Sequence, residues 1–297
     1  GMGLAAAVAL AEAGAELTLA SRTQAELDAL AEGIRARGGR ADTLVLDVTD
    51  SAAVTRAFAD ARPFEILVNN AGTNRPKPMT ETSDEDLDAV VDPSLKAAYG
   101  VAREWARALL ASGRGGSLIN VSSQMGHVGG LNRTVYCATK HAIEGFTKAL
   151  AWELGSAGIR VNSLCPTFIE TELTRPMLAD PAFVAYAAPR IALGRFGRLE
   201  DIMGAVLFLA SDASAMVTGS ALLVDGGWTA ARGRRAWPGT SGPARSPRSR
   251  WRCGRASASR PSAAPSRRGP AWPRPRASAC SRRPGNSATG RTRSRAR

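Results

Sequence analysis

The stretch GMGLAAAVALAEAGAELTLAS, residues 1–21, decides how the chain is read. Leu4, Val8 and Leu10 place apolar bulk within two turns, and alanine, the best helix former, fills most other positions. Gly14 stands where a helix should stop. Residues 16–20, ELTLA, then read as a strand. A Gly-x-Gly turn that opens a helix and is followed by a strand is the second half of a βαβ nucleotide-binding unit. Any tight turn before a helix gives the same pattern, and the rest of the chain decides between them.

Beyond residue 21 the chain alternates. Helices are expected over 24–37, 52–61, 95–110, 135–154 and 199–210. Strands are expected over 43–46, 66–68, 117–121, 160–164 and 220–224. The strands are short, apolar on both faces and rich in Val, Ile and Leu. Strands of that kind between helices form a parallel sheet covered on both sides, the doubly wound α/β class.

Composition divides the 297 residues near position 230. Residues 231–297 hold 19 arginines and no Lys, Asp, Glu, Val, Leu, Ile, Met, Phe or Tyr. The formal net charge of +13 therefore belongs to this segment, because residues 1–230 carry 20 basic against 26 acidic side chains. Residues 1–230 read as one domain. Residues 231–297 have too little apolar surface to offset ordering entropy and read as a disordered tail. That tail is either a basic arm for non-specific nucleic-acid contact or an out-of-frame translation of GC-rich DNA. Cys137 and Cys165 lie in the domain, Cys253 and Cys280 in the tail, at spacings that suggest neither a disulfide framework nor a metal motif. No leader and no apolar run near 18 residues is visible, which reads as a cytoplasmic protein without membrane association.

The chemistry gathers in the second half. Tyr136-Cys137-Ala138-Thr139-Lys140 sets a phenol and an ammonium on one helix face. A phenol of ordinary pKa about 10 is a poor base at neutral pH, and a neighbouring cation lowers that pKa. The pair is thus an acid/base device or an ordinary amphipathic pair. Ser123 follows a strand, where ligands bind in open α/β sheets.

Together these residues resemble the short-chain dehydrogenase/reductase family. Gly1 and Gly3 are similar to the end of its glycine-rich turn, and Asn69-Asn70-Ala71-Gly72 to its NNAG stretch. Ser123, Tyr136 and Lys140 match its catalytic serine and YxxxK, and Val224-Asp225-Gly226-Gly227 its closing stretch. The resemblance implies a Rossmann-like sheet whose first strand lies before residue 1, so the chain reads as a fragment with open edges at 16–20 and 66–68. It also implies a homo-oligomer, dimer or tetramer, acting on a small carbonyl or alcohol.

The resemblance assigns roles as well. Tyr136 exchanges the proton, Ser123 holds the same oxygen, and Lys140 tunes Tyr136 and binds the nicotinamide ribose. Ser94 stands where the family has a relay asparagine, with Asp92-Pro93 read as the cap and first turn of a helix. Asp47, Val48, Asn70, Ala71 and Gly72 line the adenosine side, and Ile169 and Thr171 the nicotinamide side. Ser21 and Arg22, with no carboxylate beside them, favour NADP over NAD; the other reading of Arg22 is a solvated helix-start residue. His127, Phe168 and Tyr186, with Phe183 on a lid over 170–195, are candidates for the substrate pocket. Sugar-acid (gluconate-type) dehydrogenases and 3-oxoacyl-carrier reductases fit equally well. A rival reading is an inactive fragment or scaffold with a polyanion-binding arm.

Overall fold

In the computed structural model, residues 1–59 and 61–230 are described. The expected basic tail, with Cys253 and Cys280, lies outside the described residues. The chain runs α1 (Met2–Glu12), β1 (Glu16–Ser21), α2 (Gln24–Arg35), β2 (Arg40–Val45), α3 (Ser51–Ala59) and β3 (Ile66–Asn69). It continues as α4 (Asp84–Val91), α5 (Ala97–Ala111), β4 (Gly116–Val121), α6 (Thr134–Leu154) and β5 (Ile159–Pro166). Last come α7 (Arg175–Leu178), α8 (Pro181–Ala187), α9 (Leu199–Ala210) and β6 (Ala221–Val224).

All strand pairs are parallel, in the order β1-β2 and β3-β4-β5-β6. Among the described residues, β1 and β3 pair with each other nowhere, as the reading of open edges at 16–20 and 66–68 anticipated. Packing joins the two sheets instead. Ala5, Ala6 and Leu10 of α1 meet Ile202, Val206 and Leu209 of α9 over Ile119 and Leu164, with Leu17 of β1 and Val68 of β3 against the same cluster. The next residue along β4, Leu118, faces the opposite way, onto Trp105 and Leu109 of α5 and Ala151 and Leu154 of α6. Leu118 and Ile119 are both fully buried, so both faces of the central sheet are covered, as the apolar strands required.

Two expectations need correction. β2 starts at Arg40 rather than 43, because its backbone pairs residue for residue with Glu16–Ser21 while Arg40 and Asp42 point to solvent. A search for apolar runs misses such a polar start. The helix expected from 95 begins at Asp84, capped by Ser83 and Asp86 in a capping box. Asp92 is therefore no N-cap. It opens a π turn, Asp92–Lys96, inside a helix that continues into α5, and its carboxylate pairs with Lys96 at 2.7 Å. Pro93 lacks the N–H that an α-helix would bond, and the wider turn accommodates it.

Among the described residues, no helix is long and apolar enough to cross a membrane. Trp105 anchors the α5 side. It is fully buried, and its indole N–H donates to the Phe64 carbonyl at 2.8 Å. Trp105→Ala should lower unfolding free energy by about 3–5 kcal/mol, and Trp105→Phe by about 1–3 kcal/mol through the orphaned carbonyl. Urea denaturation of both variants checks the order; equal losses would refute the contribution of the hydrogen bond.

Candidate active site

The carboxyl end of β4 and the start of α6 build the site. A chain of amides fixes their spacing. Asn69 Nδ2 donates to Asn120 Oδ1 at 3.2 Å and to the Ala98 carbonyl at 3.0 Å, and Asn120 Nδ2 donates to Thr147 Oγ1 at 2.9 Å. These bonds tie β3, β4, α5 and α6 together in the buried interior.

Ser123 leaves β4 in an extended conformation and is buried. Its hydroxyl accepts from the Met125 N–H at 3.1 Å and starts a short 3-10 turn. Tyr136 lies in the first turn of α6. Burial pushes its phenol above the usual range, while a hydrogen bond with Ser123 and the charge of Arg133 pull it down. One turn later the buried Lys140 donates from Nζ to the Val121 carbonyl at 2.9 Å and sits 5.6 Å from the centre of the Tyr136 ring. Burial pushes the Lys140 ammonium down to about 8, against the opposing charges of Cys165 and Glu144. Arg133, a residue the sequence reading passed over, is a further cation whose charge favours the phenolate.

Ser94, in the π turn, is buried and accepts from the Thr73 N–H at 3.3 Å. Gly72 is packed so closely that a Cβ there would meet Ser94 Oγ at 3.0 Å and Lys140 Nζ at 3.9 Å. Gly72, Ser94 and Lys140 therefore converge.

The residues expected to hold a dinucleotide also fit an anionic ligand. Helix α1 opens at Gly1 with no side-chain cap and no acidic residue in its first turn, so its N–H groups are free to meet phosphate. Its Gly3 presses on Asn70, where a Cβ would meet Nδ2 at 2.8 Å. Arg22 is exposed, and the Ser21 hydroxyl bonds within its own turn to Thr23. Asp47 accepts from the Thr49 N–H and hydroxyl, which hold its carboxyl below the usual range. Val48 packs at the edge of the Leu46 cluster, and Ala71 is exposed. The Ile169 side chain belongs to the core and its carbonyl accepts from Thr174 Oγ1 at 2.6 Å, and Thr171 is bonded to Thr174 in the same loop.

On the substrate side, Phe168 meets Phe183 and Trp228 at ring separations of 5.0 and 5.5 Å. Tyr186 lies beside Phe183 and Trp228, with the Arg190 guanidinium 3.9 Å above its ring. Trp228 escaped the sequence reading. It is held there by Gly226 and Gly227, both at positive φ, with Asp225 accepting from the Gly227 N–H. Arg133 is half-buried, one turn before Tyr136, and donates to Met177 Sδ at 3.2 Å. Among the described residues no carboxylate pairs with it. His127 turns away from the aromatic wall, toward Glu144 and Cys165.

A family model described as enoyl-(acyl carrier protein) reductase matches residues 1–229. The chain is 41% identical over 228 residues to D-erythrulose reductase from Gallus gallus, spanning 77% of this chain and 91% of that protein. It is 38% identical over 233 residues to gluconate 5-dehydrogenase from Gluconobacter oxydans (strain 621H), spanning 77% and 91%.

The chain belongs to the short-chain dehydrogenase/reductase family.

Among solved members of that family, gluconate 5-dehydrogenase from Burkholderia cenocepacia J2315 in complex with NADP and tartrate superposes with a TM-score of 0.75. It is 37% identical, over 78% of this chain and 92% of that one. The short-chain dehydrogenase/reductases are NAD(P)-dependent oxidoreductases that interconvert ketones and alcohols, which makes this chain an enzyme of that class.

Lys140 also leaves a mark on stability. Its folded pKa of about 8 lies below the unfolded value of 10.5. The folded state sheds this proton first, so the cost of burying the charge is complete below pH 8 and is relieved as pH rises to 10.5. Wild type should gain stability relative to Lys140→Met across that window, by up to about 1.4 kcal/mol per pH unit. Parallel pH dependences of the two urea midpoints would refute the depressed pKa.

Proposed function

We propose that residues 1–230 form an NADP-dependent ketone/secondary-alcohol oxidoreductase in which Tyr136 is the acid/base. The observation that carries this is the meeting of Ser123, Tyr136 and Lys140 at the end of β4. When bound, a nicotinamide cofactor would supply or accept the hydride. In the reducing direction the Tyr136 phenol donates its proton to the carbonyl oxygen, and the Ser123 hydroxyl hydrogen-bonds the same oxygen. Lys140 holds a proton behind Tyr136, and the buried Ser94 hydroxyl lies across Gly72 from it.

Arg22 supports the phosphorylated dinucleotide. It is exposed beside Ser21, which ends β1 with a hydroxyl rather than a carboxylate, and it lies within charge range of Asp47. Exposed Leu87, Tyr99 and Leu110 on α4 and α5 support self-association of the chain into a homo-oligomer.

Tyr136→Phe keeps the ring's packing and removes the proton donor, so turnover with NADPH should fall ~10²–10⁴-fold. A variant retaining more than a tenth of wild-type turnover would overturn the assignment.

Arg133 supports a carboxylate-bearing substrate, of the kind named for the gluconate dehydrogenases, over a neutral ketose. It is a half-buried guanidinium with no carboxylate partner among the described residues, one turn from the proton donor. Arg133→Ala should raise KM for a keto sugar acid at least tenfold and change KM for a neutral ketose less than threefold, the loss expected of one charge-assisted contact. Equal changes for both substrates would count against this reading.

A further inference from the structure

Behind the catalytic helix lies a second cluster that the oxidoreductase chemistry does not use. His127 follows β4, Glu144 stands on α6 one turn beyond Lys140, and Cys165 is the penultimate residue of β5. Cys165 is fully buried and Glu144 nearly so, while His127 is partly exposed and leaves a way in from solvent. Their donor atoms all lie within 4.8 Å of one another. Cys165 Sγ is 3.5 Å from His127 Nε2 and 3.3 Å from Glu144 Oε1, and His127 Nε2 is 3.6 Å from Glu144 Oε2.

We propose that His127, Glu144 and Cys165 form a binding site for a zinc-type divalent cation. Zinc takes thiolate sulfur at about 2.3 Å and nitrogen or oxygen at about 2.0–2.2 Å, in a tetrahedron. The edges of such a tetrahedron are about 3.4–3.6 Å; the sulfur–nitrogen edge is already of that length, and with one Glu144 oxygen the three donors lie within 4.8 Å, so a small turn of the carboxylate closes the face. Thiolate, imidazole and carboxylate are also the donor types that zinc accepts.

The surroundings support a ligand. The Ser163 hydroxyl donates to Glu144 Oε2 at 2.8 Å and orients that carboxylate, as outer partners of metal ligands do. The buried Ser122 hydroxyl hydrogen-bonds the Cys165 thiol and would be an outer partner of the sulfur in a metal site. Lys140 is the cation that faces the cluster. A divalent ion bound by one thiolate and one carboxylate is neutral overall, so it adds no net repulsion toward Lys140. Binding forms the sulfur–metal bond and releases the thiol proton to solvent.

The test uses the full chain and Co2+ alone as the probe. One equivalent should bind and give a thiolate-to-cobalt charge-transfer band in the near ultraviolet, and Zn2+ should abolish the band. Cys165→Ser should lose the band, whereas Cys137→Ser should keep it. His127→Gln keeps the thiol and alters only a partly exposed side chain. It should weaken Co2+ binding at least tenfold in a protein whose far-ultraviolet circular dichroism is unchanged. The absence of a band in the folded wild type, a band that survives Cys165→Ser, or unchanged affinity in His127→Gln would each overturn the proposal.

Discussion

The Asn120 side chain sets the geometry on which the site depends. It accepts from Asn69 on β3 and donates to Thr147 on α6, from a position with almost no exposure. An amide buried in an apolar interior must satisfy both its donor and its acceptor, or it costs about 1–3 kcal/mol for each group left unpaired. That requirement permits one register between strand and helix. Lys140 lies two turns before Thr147 on the same helix, and it closes the geometry by donating to the carbonyl of Val121, the neighbour of Asn120. The positions of Tyr136 and Ser123 follow from that register.

Electrostatics follow from the same packing. Residues that handle protons must be dry enough for their pKa values to move, and α6 supplies this by lying flat on β4 and β5. Burial raises the phenol of Tyr136 and lowers the ammonium of Lys140, which brings two groups of ordinarily similar pKa apart. Arg133 and Glu144 bracket the pair along the helix with opposite charges.

Much of this was legible in the sequence. Parallel strands leave a plain signature of short Val, Ile and Leu runs, and the carboxyl end of β4 could be found from residues 117–121 alone. The four-residue spacing of Tyr136 and Lys140 gave their shared face. What escaped detection had no local signature. Arg133 looks like any loop arginine until α7 brings Met177 against it. His127, Glu144 and Cys165 come from three elements, and only the sheet order places β5 beside β4 and under α6. The start of β2 was missed because Arg40 and Asp42 answer to backbone pairing rather than to burial. The start of the helix at Asp84 was missed because its first turn is acidic and its capping signal, Ser83 with Asp86, precedes the apolar run.

The π turn at Asp92–Lys96 has a consequence for how the gene can change length. An ordinary insertion in a helix rotates everything beyond it by about 100°, because each residue advances the spiral by that angle. A π turn is an insertion absorbed on the spot: the extra residue bulges and the faces on either side keep their phase. Deleting one residue here would therefore leave α4 and α5 aligned with the core, yet it would withdraw Ser94 from Gly72 and Thr73. Between the π turn and Trp105 the same deletion would turn Trp105 out of the interior. Along this helix, the reading frame of packing has one place where it can lose a residue without losing the fold.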